Sequence, residues 1–433
     1  MNSAREPERG LAAGAPRAVD LFSGVGGLAL GVAAAGFRVE LLIERDPGAC
    51  GILQANLREG CPLESPDTVV GAELSETYEF DDSYAGIDLL TAGPPCQPFS
   101  TGGKRNGHVD ERDMFPAFFH AVRSLRPRAI LVENVSGLTI GKFRDYFSYL
   151  KLQTAFPHVT PVRSGWPEHK RRLEELKRRL DAQPSDIDDG ILPSETYEVW
   201  GGEFNAADFG VPQLRRRAFI VAFRRDQAVK WAPPSASHAR SSLLRSLQKN
   251  GSYWQDHPGA KLCVPSRVAT SITVLESQLH MDSDETPRWR TVRDAIECLP
   301  EPKDRVSHPG FRNHVGIPGA RIYAGHSGSV LDWPAKTIKC GVHGIGGGEN
   351  VLVKEDGACR WFTIRECALL QAFPLDWDFG DTPRSRSMRY VGNAVPPPLA
   401  EKLAGSIKLA LSRGKSHLDN EAGSRSIHRT DFV

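Results

Sequence analysis

Between residues 17 and 135, short apolar runs alternate with segments of helical spacing. "RAVDLF", "VELLIERD", "GIDLLTAG" and "RAILVEN" read as buried strands bounded by turn residues, and "SGVGGLALGVAAAGF", "PGACGILQANL" and "MFPAFFHAVRSL" supply helices between them. Strands separated by helices cannot pair as hairpins. The alternation therefore selects a parallel sheet with helices on both faces. Ligands of such sheets collect at the carboxyl ends of the strands.

Two of those ends carry a nucleotide-type signal. Gly24-x-Gly26-x-x-Ala29 follows the first strand and opens a helix, where glycines let the backbone turn tightly and approach a ligand. Glu44 closes the next strand about 20 residues on, placed to accept ribose hydroxyls. The pair points to an adenosine-containing cofactor, and both NAD and S-adenosylmethionine satisfy it.

The third and fourth strand ends carry other chemistry. Cys96 stands in "AGPPCQPFS", a loop stiffened by prolines. A packing cysteine needs no such rigidity, whereas a thiol that must meet a substrate at one angle does. Glu133 and Asn134 end the strand "AILVEN". Gln213, Arg215 and Arg217 alternate in "PQLRRRAF", so an extended segment turns all three one way.

Net charge is only +1, but residues 213–240 hold seven Arg/Lys and one acid. The basic stretch "EHKRRLEELKRRL" (168–180) reads as a solvated helix face with i,i+4 pairs. None of the eight cysteines forms a C-x-x-C pair, which argues against a zinc site of the usual spacing, and no metal is expected. No run approaches the roughly 18 apolar residues of a membrane span, and residues 1–16 lack a signal-type apolar core. The chain reads as soluble and intracellular, without a membrane partner. Residues 1–16 and 413–433 are expected to be disordered ends and 151–195 an insertion. The Pro-, Gly- and Ser-rich stretch 230–375 reads as a second domain between 17–229 and a return at 376–412.

Taken together, "DLFSGVGGLALG", "GPPCQPFS", "ENV", "QLRRR", "RECALLQAFP" and "GNAVPPPLA" resemble, in order, the motifs of the DNA (cytosine-5)-methyltransferases, over residues 17–412. The resemblance implies an α/β fold: a Rossmann-like S-adenosylmethionine-dependent methyltransferase domain, with a mostly irregular or β target-recognition domain inserted before the last motifs. It implies Cys96 as nucleophile toward cytosine C6, Glu133 as the acid at N3, and Arg215 and Arg217 as holders of the pyrimidine and the nucleophile loop. Phe22, Ser23, Gly24, Gly26, Glu44, Pro94 and Asn393 would line the cofactor pocket. Glu73, in "VVGAELSE", takes the place of a family acid that is usually Asp.

The implied partner is double-stranded DNA, bound by a monomer that flips its target cytosine. Gln213, Thr337, Lys339 and His343 would face DNA, and Arg224, Arg225 and Lys230 would meet phosphates. The role expected is the modification half of a restriction system in a bacterial or archaeal cytoplasm, with a cognate endonuclease sharing the site. The rivals are a tRNA cytosine-5 methyltransferase, an inactive DNA-binding regulator and a nicotinamide-dependent oxidoreductase. The intact Cys96, Glu133 and arginines speak against the last two, and the long recognition segment against the first.

Overall fold

The computed structural model describes residues 14–58, 60–63, 68–95, 113–161, 165–182, 192–249, 251–277, 286–322, 327–340 and 350–427. β1 (Arg17–Leu21) leads through the glycine turn into α1 (Gly27–Ala34). β2 (Arg38–Glu44), α2 (Pro47–Asn56), β3 (Val69–Gly71), β4 (Leu89–Ala92), α3 (Phe115–Leu125) and β5 (Ala129–Val135) follow. These five strands are parallel, in the order β3-β2-β1-β4-β5. Both faces are covered: Ala129 and Leu131 of β5 enter one apolar core, Ile130 and Val132 the other. That is why these strands read as unbroken apolar runs rather than as alternating ones.

Next come α4 (Arg144–Ala155), α5 (Trp166–Ala182), β6 (Tyr197–Asn205), β7 (Gln213–Leu214) and β8 (Arg216–Arg224). β8 lies between β5 and β6, antiparallel to both, so the seven-stranded sheet is mixed rather than all parallel. The cause is local. Only a short turn with Gly210 at φ 82° separates β6 from β7, and no crossover helix is available to reverse the chain. α5 occupies the expected insertion. Its Trp166 and His169 stack on Tyr146 and Tyr149 of α4. Lys170, Arg171, Lys177, Arg178 and Arg179 of α5 all pair with acids of the same helix.

The segment after β8 is built from short pieces: α6 (Arg240–Ser246), α7 (Tyr253–Asp256), α8 (Ser266–Ser277) and α9 (Val292–Ile296), then β9 (Ser307–His308), β10 (Phe311–Val315), β11 (Ser329–Val330), β12 (Ala335–Lys336), β13 (Val351–Val353) and β14 (Cys359–Trp361). Its first part is thus helical, with a small core of its own around Leu243, Tyr253, Ile272, Trp289 and Trp333. β9 and β10 form a hairpin, β11, β13 and β14 a small sheet, and β12 pairs with β7.

The chain returns through α10 (Ile364–Leu370), α11 (Arg384–Asn393) and α12 (Pro397–Ile427). Thr363 and Glu366 cap α10 reciprocally. Its Ile364, Cys367, Ala368 and Leu370 share a core with α1 and α12. α11 was not expected, since "YVGN" reads as loop. α12 continues to Ile427, past the boundary placed at Arg413. α12 lies close against α1 because Gly31 has no side chain: a Cβ there would strike Ala400 and the Pro397 carbonyl. No described helix is long and apolar enough to cross a membrane.

Candidate active site

The β1–α1 turn is bent by three residues in the left-handed region, Phe22 (φ 56°), Gly24 (φ 54°) and Gly26 (φ 87°). For a bulky aromatic this conformation is strained and marks a site. Around Gly24 a Cβ would meet nothing within 4 Å, so the turn leaves open space above it. Glu44 holds the turn from the side. Its Oε2 accepts from Gly24 N (2.8 Å) and its Oε1 from Asp46 N (2.8 Å). Ser23 Oγ donates to the Asp20 carbonyl (2.9 Å).

Asp20 is a residue that motif reading passed over. It is 1% exposed, its Oδ1 accepts from Thr91 Oγ1 (2.5 Å), and its Oδ2 has no hydrogen-bond partner. Burial pushes its pKa up to about 7, against the pull of Thr91 and Ser23. The signal available in the sequence was one acid inside the apolar strand "AVDL".

Glu133 is the second buried acid at this end of the sheet, 7% exposed. Burial raises its pKa, while Arg217 and Arg215 oppose the shift. Arg217 Nε lies 3.0 Å from Glu133 Oε1 as an ion pair, without the alignment of a good hydrogen bond. The register explains the meeting: Glu133 and Arg217 sit two rungs apart on neighbouring strands β5 and β8. Asn134 Nδ2 donates to the Pro94 carbonyl (3.4 Å), tying the end of β5 to the segment that leads to Cys96. Cys96 itself lies outside the described residues, as does His343.

Arg215 differs from the expectation. It is wholly buried, and its guanidinium donates to the carbonyls of Ile338 (3.4 Å), Gly392 (2.8 Å) and Ala394 (2.9 Å). Burial first, and then Arg217, drive its pKa well down. The alternation that should aim Arg215 and Arg217 alike fails because β7 and β8 are separate strands, with Arg215 at the break between them. Arg215 therefore joins three segments, and Arg217 alone pairs with the carboxylate.

The residues expected to face DNA make contacts within the protein. Gln213 is fully buried. Its Nε2 donates to the Leu370 carbonyl (3.1 Å) and Gln371 Oε1 (3.0 Å), and its Oε1 accepts from Ile338 N (2.9 Å). Thr337 Oγ1 donates to the Leu214 carbonyl (2.7 Å). Both residues stitch β12 to β7. Arg224 and Arg225 lie at the other end of β8, beside the start of β5, about 20 Å along the strand from Arg217. Arg224 pairs with Asp226 (2.8 Å) and with the Arg126 carbonyl. Lys339 exchanges backbone hydrogen bonds with the Asn350 amide (3.2 and 3.3 Å). Glu73 is exposed and paired with Arg45 (2.8 Å). Asn393 ends α11 exposed, next to Ala394 and Val395, which lie against Gly27 at the start of α1. Among the described residues no group of His, Cys, Asp and Glu could hold a metal ion.

Comparison with known proteins agrees with this layout. Among solved structures, S. pombe Dnmt2 methyltransferase shares the fold at a TM-score of 0.51 and 17% identity, over 92% of this chain and 99% of that one. A DNMT2 mutant from Spodoptera frugiperda does so at 0.52 and 13%, over 90% and 99%. The type II methyltransferase M.NgoMIV of Neisseria gonorrhoeae is 27% identical over 399 residues, 91% of this chain and 98% of the relative. M.AplI of Arthrospira platensis is 26% identical over 403 residues, 92% and 87%. A family model described as C-5 cytosine-specific DNA methylase matches residues 17–152 and 192–409, passing over α5. With the sheet, the strand-end acids, α10, α11 and the start of α12 inside that match, the chain belongs to the C-5 cytosine-specific DNA methylase family.

Proposed function

We propose that this chain methylates C5 of a flipped cytosine in a specific duplex DNA sequence, with S-adenosylmethionine as donor and Cys96 as covalent nucleophile. The observation that carries the reading is the buried Glu133, raised in pKa and ion-paired to Arg217, beside an Asn134 bonded to Pro94, two residues before Cys96. A carboxyl group whose burial favours its protonated form is suited to donate to a ring nitrogen.

The residues of the β1–α1 turn fit the donor. Asp20 Oδ2, buried and without a partner, suits a cationic amine, and the Glu44 oxygens retain acceptor capacity for ribose hydroxyls. Phe22, Ser23, Gly24, Gly26, Glu73, Pro94 and Asn393 would complete the pocket. When bound, S-adenosylmethionine supplies an electrophilic methyl group and a thioether leaving group. The protein's own work lies on the base. The Cys96 thiolate adds to C6, and the C5–C6 electron pair becomes available at C5 as Glu133 donates a proton to N3. Arg217 orients the Glu133 carboxyl and makes the surroundings electropositive, which favours a thiolate. After C5 carries its methyl group, loss of the C5 proton to a base, departure of the Cys96 thiolate from C6 and return of the N3 proton to Glu133 restore the neutral ring.

The kinship to type II methyltransferases supports a role as modification enzyme of a restriction system. Base recognition is assigned to the segment between β8 and α10, with Lys339 and His343 retained as candidates and Gln213 and Thr337 withdrawn. The test is transfer of labelled methyl from S-adenosylmethionine to duplex DNA, followed by digestion to nucleosides. Label in 5-methyldeoxycytidine is expected. Label in tRNA alone, or on an exocyclic nitrogen, would overturn the reading.

A further inference from the structure

α11 reaches across to the strand that ends on Glu44. Tyr390 OH donates to Asp46 Oδ1 (2.6 Å), and Arg389 Nη2 donates to Asp46 Oδ2 (2.8 Å). The same Asp46 caps α2, accepting from Gly48 N (2.9 Å) and Ala49 N (3.3 Å). Its own N–H donates to Glu44 Oε1 (2.8 Å), and the other Glu44 oxygen holds Gly24 (2.8 Å). Asp46 therefore links α11 to the start of α2 through its carboxylate, and both to the acid beside the glycine turn through its backbone N–H. Burial works against the Asp46 charge, but Tyr390, the two amides and Arg389 outweigh it and hold its pKa below the ordinary value.

Gly48 belongs to the same arrangement. A Cβ at this position would strike the Tyr390 hydroxyl and press on Asp46 Oδ1 at 3.2 Å, while the ring carbon behind the hydroxyl stays at 3.5 Å, an ordinary contact. The missing side chain and the hydroxyl are matched to each other. Three residues after Tyr390, Asn393 closes α11, and Ala394 and Val395 rest on Gly27. The angle at which α11 is fastened thus sets where Asn393 stands relative to Glu44.

We propose that Tyr390 is a positioning residue for the cofactor: by fastening α11 to Asp46 it fixes the two walls of the pocket, Glu44 and Asn393, relative to one another. The proposal rests on the reading that this pocket takes S-adenosylmethionine. It makes the hydroxyl, rather than the ring, the part that matters.

The experiment is calorimetric titration of S-adenosylmethionine into the full chain, for wild type, Tyr390→Phe, Gly48→Ala and the double variant, with thermal melting of each. Losing a hydrogen bond to a charged group should weaken binding about tenfold in Tyr390→Phe. At saturating cofactor, kcat and the KM for DNA should stay near wild type. Gly48→Ala should weaken binding in the wild-type background and cost clearly less once the hydroxyl is gone, a coupling that distant or independent sites do not show. Asp46→Asn keeps both the cap and an acceptor for Tyr390, and should restore most of the affinity lost in Asp46→Ala.

Unchanged affinity in Tyr390→Phe would overturn the proposal, as would a Gly48→Ala effect equal in both backgrounds. A lower melting temperature with unchanged affinity would overturn it too, by leaving the latch a structural role only. A wild-type chain that fails to bind S-adenosylmethionine would overturn the functional reading and this inference together. Wild-type binding with an unaffected Tyr390→Phe variant would overturn this inference alone.

Discussion

The two ends of the central sheet carry similar residues in opposite circumstances. At the amino ends of β1, β4 and β5, charges are partly exposed and mostly paired: Arg17 with Glu40, Arg128 with Asp88, Arg224 with Asp226, with Arg225 Nε the exception. At the carboxyl ends they are buried and imperfectly satisfied. Asp20 has an orphan oxygen, Glu133 an off-line ion pair, and Arg215 an orphan Nε. Burial of this kind costs stability and shifts pKa values, so it persists where chemistry requires it. Composition alone would not separate the two ends, whereas solvent exposure does. The contrast can be broken or sharpened by substitution, and the expected effects fall in a definite order.

The largest belongs to Glu133. Glu133→Gln keeps the shape but removes the transferable proton, and should lower kcat by about 10²–10⁴-fold with DNA affinity retained. Steady-state kinetics with gel-shift binding would check it, and unchanged turnover would remove Glu133 from the mechanism. The raised pKa has a consequence in pH as well. The protonated acid must coexist with a Cys96 thiolate, so kcat/KM should follow a bell, and its descending limb should be lost in Glu133→Gln.

Next come the two arginines. Arg215→Ala removes the side-chain donor from the carbonyls of Ile338 and Gly392 and leaves that of Ala394 with Gln371 Nε2 alone, and should cost about 3 kcal/mol of stability. Arg217→Ala should cost turnover while leaving denaturant midpoints almost unmoved. The reverse pattern in urea titrations and assays would exchange their roles.

Asp20 comes third. Its folded pKa, about 7, lies above the ordinary 3.8, so between those values the folded state holds a proton that the unfolded state has lost. Stability attributable to this group must therefore fall as pH rises through that window, by roughly 1.4 kcal/mol per unit, and level off above it. Asp20→Asn should flatten that fall in denaturant titrations at pH 5 and pH 8, and should weaken cofactor binding. A variant with the same pH dependence as wild type would remove the buried charge as its source.

The smallest effect is expected at the other end. Arg224→Ala with Arg225→Ala should change DNA affinity by no more than about twofold and leave the salt slope unaltered, since phosphate contacts are what set that slope. A flattened slope in binding measured from low to high salt would return these residues to the DNA interface.

The parallel strands were legible because each is an uninterrupted apolar run bounded by turns, and the glycine turn because its φ values demand glycine. Glu44 and Glu133 were legible as acids at strand ends. The orientation of Arg215 was not legible because alternation assumes one continuous strand, and the chain breaks between β7 and β8. Asp20 escaped because a single acid in a strand has no motif of its own. α11 escaped because "SMRYVGN" has little apolar periodicity and ends in Gly-Asn, residues that usually mark turns. Its place is fixed instead by contacts far away in sequence, to Asp46, Phe362 and Arg215. The segment between β8 and α10 resisted for the same reason: its strands are two to five residues long and are held by partners elsewhere in the chain.

The central claim is that the buried carboxyl end of the sheet serves covalent attack on cytosine by Cys96. Duplex DNA carrying 5-fluorocytosine at the methylated position tests it directly, because fluorine cannot leave as a proton does and the enzyme stays attached. With S-adenosylmethionine present, a protein–DNA adduct should survive denaturing electrophoresis for wild type and vanish for Cys96→Ala. An adduct that persists in Cys96→Ala, or methylation of ordinary DNA with no adduct on the fluorinated duplex, would contradict the account.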